Sequence, residues 1–322
     1  AYSFNASHAV SYCLISYTCA WFLTYHPDEW ITTYIDYCAT EKGRQAGKED
    51  PKSIALSEAK ALGYEIGKPD INLSERDYTI QNKKLIPSFS SLKYVGTSVL
   101  AEIGQYRPYK TVEDLLFNPG GSWRHSKFNR RALGTLVHLE AMGSMDLVGE
   151  GKQFANYRQL YHVVVEKSDD LKRAVSKKKK THIEDLAKYV EEAKLLPDWS
   201  IEEKVKFSVD LSGTVDIDLI VTPELSNYFE SKGIVSIDDR EHDDQWVWCI
   251  VKNAQGCPGK KKPFMRMKVY GQSGTDKTVF CWNFKPERDK VIPSNSLIIG
   301  RFKSSDFGLS TFFGTLQIIA EK

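Results

Sequence analysis

Asn5, Ser7 and His8 bring an amide, a hydroxyl and an imidazole together just ahead of an apolar run that opens at Ala9. At a helix N-terminus the free backbone N–H groups point outward, and such side chains beside them suit a triphosphate or a sugar hydroxyl. The same residue types are good helix caps, so Asn5 and Ser7 admit both readings. Tyr12, one turn further along, either flanks that surface or enters the core.

A second group follows the run Leu92-Lys93-Tyr94-Val95-Gly96-Thr97-Ser98-Val99-Leu100-Ala101, an apolar residue, a tight glycine turn and a new helix. This spacing resembles a helix-hairpin-helix element. Gly96 is expected to permit a positive φ and a close backbone approach to phosphate, with the next helix's free N–H groups aimed at it. Lys93, Gly96, Thr97 and Ser98 are therefore candidate phosphate contacts, against the plainer reading of Gly96 as a cap.

The third group is basic and aromatic. Lys252, Lys260, Lys261, Lys262, Arg266 and Lys268 occur with no acid between Gln245 and Gly274, and Trp248, Phe264, Trp282 and Phe302 are interleaved with them. Cations neutralise phosphates, and aromatic rings stack on bases at ~1–3 kcal/mol each. Strand alternation must send about half of these rings inward. The plainer alternative is core aromatics with solubilising lysines.

Other chemistry finds less support. Asp169-Asp170, Asp238-Asp239 and Asp243-Asp244 sit in polar contexts that suit surface acids. The six cysteines have neither a CxxC pair nor a histidine at ligand spacing, which argues against zinc and for unpaired buried thiols in a reducing compartment. A net charge of +2 does not announce a nucleic-acid binder; the distribution of charge carries that question.

The elements that must position these groups follow from pattern. A chain of 322 residues with 41% hydrophobic and 27% charged content suits two or three soluble domains. The stretch Ala9 to Tyr25 is interrupted by Ser11, Ser16, Thr18 and Thr24 and has no basic lead, so neither a membrane span nor a signal peptide is expected, and a cytoplasmic location is. From His8 to Tyr25 a helix apolar on all sides is expected, one that needs a larger body around it than this chain supplies. Further helices are expected from Pro27 and from Pro51 to Leu62, the latter ended by Gly63. Short extended pieces follow at Tyr78 to Ile80 and Leu85 to Phe89. From Phe154 to Leu211 the chain reads as charged helix, with capping-box spacings at Thr181 to Glu184 and Ser200 to Glu203. There Lys172, Arg173 and Lys177 to Lys180 form either a solvated face or a phosphate contact. Five strand-like runs close the chain: Trp246 to Val251, Phe264 to Tyr270, Thr278 to Phe284, Ser296 to Phe302 and Thr311 to Ile319. Five strands in this length predict an OB-type barrel.

The opening residues Phe4-Asn5-Ala6-Ser7-His8-Ala9-Val10-Ser11-Tyr12 resemble the F-N-x-S-H-x-x-x-Y segment in the fingers of bacterial C-family replicative polymerases, the DNA polymerase III alpha subunits. His26-Pro27-Asp28-Glu29-Trp30 is similar to that family's H-Y-P-A-E-F helix start, and Lys68-Pro69-Asp70-Ile71-Asn72 to its P-P-D-I-N turn. Leu92-Lys93-Tyr94-Val95-Gly96 is similar to its I-K-G-V-G hairpin, and Asn129-Arg130-Arg131-Ala132-Leu133 to its N-R-R-V-L helix. The blocks keep the family's order. Ala6 stands where the family has a lysine, so one positive charge expected near a nucleotide is missing.

The resemblance implies a multidomain α+β chain. Its parts would be fingers over 1–75, tandem helix-hairpin-helix over 76–150, a charged helical connector over 151–240, and a five-stranded OB-type barrel over 241–322. It implies that Asn5, Ser7 and His8 face the incoming dNTP, and that Arg130 and Arg131 join Lys93, Gly96, Thr97 and Ser98 at primer-template duplex. Lys252, Lys260, Lys261, Lys262 and Arg266 would serve single-stranded template. The family's catalytic carboxylates, which hold Mg2+ for nucleotidyl transfer, lie upstream in the palm, and no matching pair is present here. The chain alone is thus expected to be inactive and to need a palm-bearing segment or subunit, as a fragment, as half of a split polymerase or in a divergent, phage-type member. A sliding clamp is a further possible partner, although Gln153-Phe154 and Gln159-Leu160-Tyr161 match a clamp-binding peptide poorly. No membrane partner is expected. The alternative is a non-catalytic DNA-binding accessory protein built from the same hairpin and OB modules.

Overall fold

The computed structural model describes residues 5–40, 51–176, 182–213, 217–243, 245–259, 262–272, 274, 276–305 and 308–320. Lys260, Lys261, the basic run Lys177 to Lys180, Thr181 and Asp244 lie outside the described residues.

Two helices open the fold, α1 (Ala6–Tyr25) and α2 (Pro27–Thr40), followed by α3 (Pro51–Ala61). Pro27 begins α2, and Asp28 and Glu29 in its first turn favour the positive end of the helix dipole. Ile31, Ile35 and Cys38 of α2 pack on Ala55, Leu56 and Ala59 of α3, each set at helical spacing. Gly63 at φ +85 turns the chain out of α3. In α1, by contrast, apolar residues occupy every side and not one residue is buried. Among the described residues no helix is long and apolar enough to cross a membrane.

A small sheet follows, β1 (Glu65–Ile66), β2 (Thr79–Gln81) and β3 (Lys84–Ile86), in the order β1-β3-β2. Next come α4 (Thr97–Tyr106), α5 (Val112–Leu116), α6 (Arg130–His138), α7 (Tyr157–Tyr161), which runs on as a π turn over His162–Glu166, α8 (Ser168–Ser176) and α9 (His182–Ala193). These helices share one core, in which Phe89, Leu92, Val99 and Ile103 meet Leu160, Val163, Val164, Leu171 and Leu186. The segment whose charge suggests a connector therefore puts its apolar minority into the hairpin's own core.

α10 (Ile201–Ser212) starts in a complete capping box between Ser200 and Glu203 and ends at Gly213 in the left-handed region. Its C-terminal carbonyls are acceptors for other parts of the chain. The backbone N–H of Lys93 donates to Leu211 O at 2.9 Å, and the Lys52 ammonium donates to Ser212 O at 3.5 Å. α11 (Pro223–Ser231) begins at a Thr222 cap, and the last strands follow.

The strands are β4 (Val235–Ser236), β5 (Trp246–Cys257), β6 (Phe264–Tyr270), β7 (Lys277–Trp282), β8 (Leu297–Arg301), β9 (Lys303–Ser305), β10 (Gly308–Phe312) and β11 (Gln317–Ala320). They correct the expected five-stranded OB-type barrel. The eight strands form one sheet ordered β11-β8-β5-β6-β7-β10-β9, with β4 beside β5, and no ladder among the described residues joins the two ends. The reason is that the last apolar run breaks and that a further short strand follows the run before it. Fully buried Phe302 separates β8 from β9, and a 3-10 turn over Phe313–Thr315 separates β10 from β11. The pieces then take different partners: β10 lies parallel to β7, whereas β11 runs antiparallel to β8. The sheet is open, not closed as an OB barrel requires. Trp248, Ile250, Tyr270 and Leu297 pack with Val205 of α10 and Phe229 of α11, and a second core gathers Val247, Met265, Met267, Val279 and Ile298.

Candidate nucleic-acid interface

The hairpin region presents two helix starts to one concavity. Tyr94, Gly96 and Ser98 line one side of it, and Ser126, Lys127 and Asn129 the other. α4 begins at Gly96, which has no side chain to cap it, so the first-turn amides at Thr97 and Ser98 face outward in the manner of an anion site. α6 begins at Asn129, whose Oδ1 accepts from the N–H groups of Arg131 and Ala132. Arg130 and Arg131 follow, both exposed, with Arg130 partly committed to Asp169 at 3.5 Å.

One detail differs from the sequence reading. Gly96 has φ −84 and ψ 172, ordinary extended backbone, and a Cβ there would meet nothing within 4 Å. The left-handed residue of the hairpin is Tyr94, at φ +67 and 58% exposed. Lys93 keeps its side chain in solvent, but its amide is spent on Leu211.

The second surface is a face of the sheet. Register pairing sets Cys257, Phe264, Trp282 and Phe312 in one row across β5, β6, β7 and β10, and Gln255, Arg266, Phe280 and Ser310 in the next. Phe264, Phe280 and Trp282 form one ring cluster, with Phe264 and Trp282 centroids 5.3 Å apart. Arg266 is exposed beside them. Of the four aromatics picked out in sequence, Phe264 and Trp282 belong to this face, whereas Trp248 and Phe302 are core residues. Phe280 and Phe312 were missed, although the alternation Thr278-Phe280-Trp282 against Val279-Cys281 carries the signal for the first. Lys252 is held by Asp276 at 2.7 Å, so its charge is largely answered within the fold. Lys262 is exposed, and its neighbours Lys260 and Lys261 lie outside the described residues.

Asn5, Ser7 and His8 all stand exposed at the start of α1. Asn5 occupies the cap position without using its side chain as a cap. Tyr12 is 63% exposed and does not enter a core.

The acids do not converge on a metal. Among the described residues no group of three or more His, Cys, Asp or Glu is arranged to hold one. Asp169 pairs with Arg130, Asp170 with Arg173 and Asp243 with Arg240. All six thiols are free; Cys38, Cys249 and Cys281 are buried, but Cys13 is exposed and Cys19 and Cys257 are half-buried, unlike the uniform burial expected. Burial pushes the Cys281 thiol up to about 12, which leaves it inert. Phe154, Gln159 and Leu160, from the poor clamp-peptide matches, are buried in the helical core.

One comparison with known proteins falls on the same region. Residues 63–151 match the helix-hairpin-helix motif family, so the concavity between α4 and α6 lies within that motif. The chain is homologous over part of its length to DNA polymerase III alpha subunits. It is 30% identical to that of Thermotoga maritima over 115 residues, 36% of this chain and 13% of that protein. With the Chlamydia trachomatis subunit it shares 30% over 161 residues, 48% of this chain and 12% of that one, and with the Bacillus subtilis subunit 30% over 151 residues, 47% and 13%. The matched stretch spans about an eighth of the length of these relatives.

Proposed function

We propose that this chain is a DNA- and nucleotide-positioning part of a C-family DNA-directed DNA polymerase. In this reading the hairpin motif grips primer-template duplex, and the aromatic face of the sheet holds single-stranded template. Asn5, Ser7 and His8 contact the incoming dNTP. The carboxylates that hold Mg2+ for nucleotidyl transfer belong to a palm on another segment or chain. Among the described residues Asp169, Asp170 and Asp243 are held in local ion pairs, and no acidic group there fits that metal.

The observation that carries the reading is the concavity where the uncapped start of α4 meets the basic start of α6, inside the segment that matches the helix-hairpin-helix motif. Backbone N–H groups and cations together are what a phosphate backbone requires, and they are indifferent to sequence. The row of Phe264, Trp282 and Phe312 supports single-strand contact, because every base has a face to stack.

Titration of labelled duplex and single-stranded oligonucleotides at two salt concentrations tests this. Affinity for both is expected without sequence preference and with a steep fall as salt rises. Absence of duplex binding at low salt, or affinity unchanged by salt, overturns the reading.

A further inference from the structure

Glu102 lies on α4, one turn and a half beyond the helix start, with its side chain about a tenth exposed. Its carboxylate does not face solvent or pair with a lysine. Oε1 accepts from the Ser126 N–H at 2.8 Å and from Ser126 Oγ at 3.0 Å, while Oε2 accepts from the Lys127 N–H at 2.8 Å and from the Phe128 N–H. Four donors from three consecutive residues converge on one carboxylate. Those residues lead directly into Asn129 and α6, and Ser126 and Lys127 line the concavity opposite Gly96 and Ser98. Buried His125 stands behind, its Nδ1 3.7 Å from Oε2 and its Nε2 bonded to Leu115 O at 2.7 Å.

We infer that Glu102 is a positioning residue for duplex binding: it fixes the start of α6 against the start of α4 and so sets the spacing of two phosphate contacts on the DNA. The inference rests on the DNA-binding reading of the hairpin motif. A carboxylate is suited to this because it accepts at two oxygens and offers no competing donor, whereas a neutral amide would turn an NH2 toward backbone N–H groups. Burial raises the Glu102 pKa, but the hydrogen bonds from Ser126, Phe128 and Lys127 outweigh it and hold the carboxyl below its usual range. The group is an anion throughout the neutral range and its four bonds are charge-assisted.

The test is E102Q in the full chain, with labelled duplex and single-stranded oligonucleotides titrated across a salt series well below the melting temperature. Duplex affinity is expected to fall about tenfold, and the slope of log affinity against log salt to shrink by roughly one phosphate. Single-strand affinity should hold, because the sheet face is untouched. A role confined to stability would lower the melting temperature and leave slope and affinity as they were; that result overturns the inference. Should E102Q fail to fold by circular dichroism, Glu102→Asp keeps the charge but withdraws the carboxylate by one methylene, and the same two outcomes decide. If the parent chain itself grips no duplex, the DNA-binding reading fails and this inference falls with it. If the parent binds and the variant matches it, only the positioning role is lost.

Discussion

His138 lies against Phe207 with ring centroids 3.9 Å apart and planes 20° from parallel, and its other side stacks on Tyr161 at 4.5 Å. The imidazole thus bridges α6, α7 and α10. Burial, aided by the nearby Arg158 charge, pulls its pKa down to about 4 from an ordinary 6.5. The unfolded chain accepts this proton near pH 6.5 and the folded chain resists it. The stability concerned is therefore fully present above about 6.5 and is lost as pH falls toward 4. Because water reaches part of the ring, the effect is on the order of 1–2 kcal/mol. His138→Phe keeps the stack and removes the proton. Urea midpoints at pH 7.5 and 5 should differ less in that variant than in the parent.

The sheet's aromatics divide into two classes with opposite consequences. Phe280→Ala and Phe312→Ala should each weaken single-strand binding by about 1–3 kcal/mol and leave the fold nearly unchanged, since both rings stand on the outward rows. Trp248 is 6% exposed and stacks on Phe229 at 6.0 Å. Its replacement by alanine should cost about 3–5 kcal/mol of stability without touching a base directly. Paired melting and binding curves separate the classes, and a loss of affinity confined to Trp248→Ala would contradict the assignment.

At the hairpin, Tyr94 sits at positive φ with its ring largely in solvent. A side chain in that conformation costs about 1 kcal/mol, and part of the gain on removing it is lost to the freer unfolded glycine. Tyr94→Gly should therefore raise stability by roughly 0.5 kcal/mol. At Gly96 an added Cβ meets nothing within 4 Å and the backbone is ordinary extended, so the melting temperature of Gly96→Val should hold. Any loss of duplex affinity in Gly96→Val then reports obstructed phosphate approach alone.

Most single elements were legible because each rests on local rules. The capping box at Ser200, the Gly63 stop and the β6 boundaries follow from residue type and period. Pairing between elements was not. Whether Thr311 to Ile319 is one strand or two depends on which partners accept Thr311 and Ile318, and those partners are distant in sequence. Glu102 was invisible for a similar reason. A lone glutamate on a helix reads as solvated surface until the loop at 126–128 folds over it. The ion pair of Lys252 was not legible because its acid, Asp276, lies just beyond the acid-free window.

α1 carries the last prediction. Its apolar residues face every direction, with Tyr17 at 69% and Leu14 at 62% exposure, so covering one face of the helix would leave the others in water. In the polymerase proposed above a palm-bearing partner would enclose it, and mixing the two should restore templated nucleotide addition that neither shows alone. His8 stands exposed at the helix start, beside Asn5, whose side chain does not cap α1. In the reconstituted enzyme His8→Ala is expected to raise the Michaelis constant for dNTP or lower the rate by about tenfold, the scale of one lost hydrogen bond to a charged group. Primer-template affinity should change little, because the contacts proposed for it lie at the hairpin and on the sheet. Steady-state kinetics over a dNTP series, with duplex affinity measured separately, checks both halves. Full activity in the alanine variant would make His8 a bystander on α1, and a parallel loss of duplex affinity would place it with the DNA instead of the nucleotide.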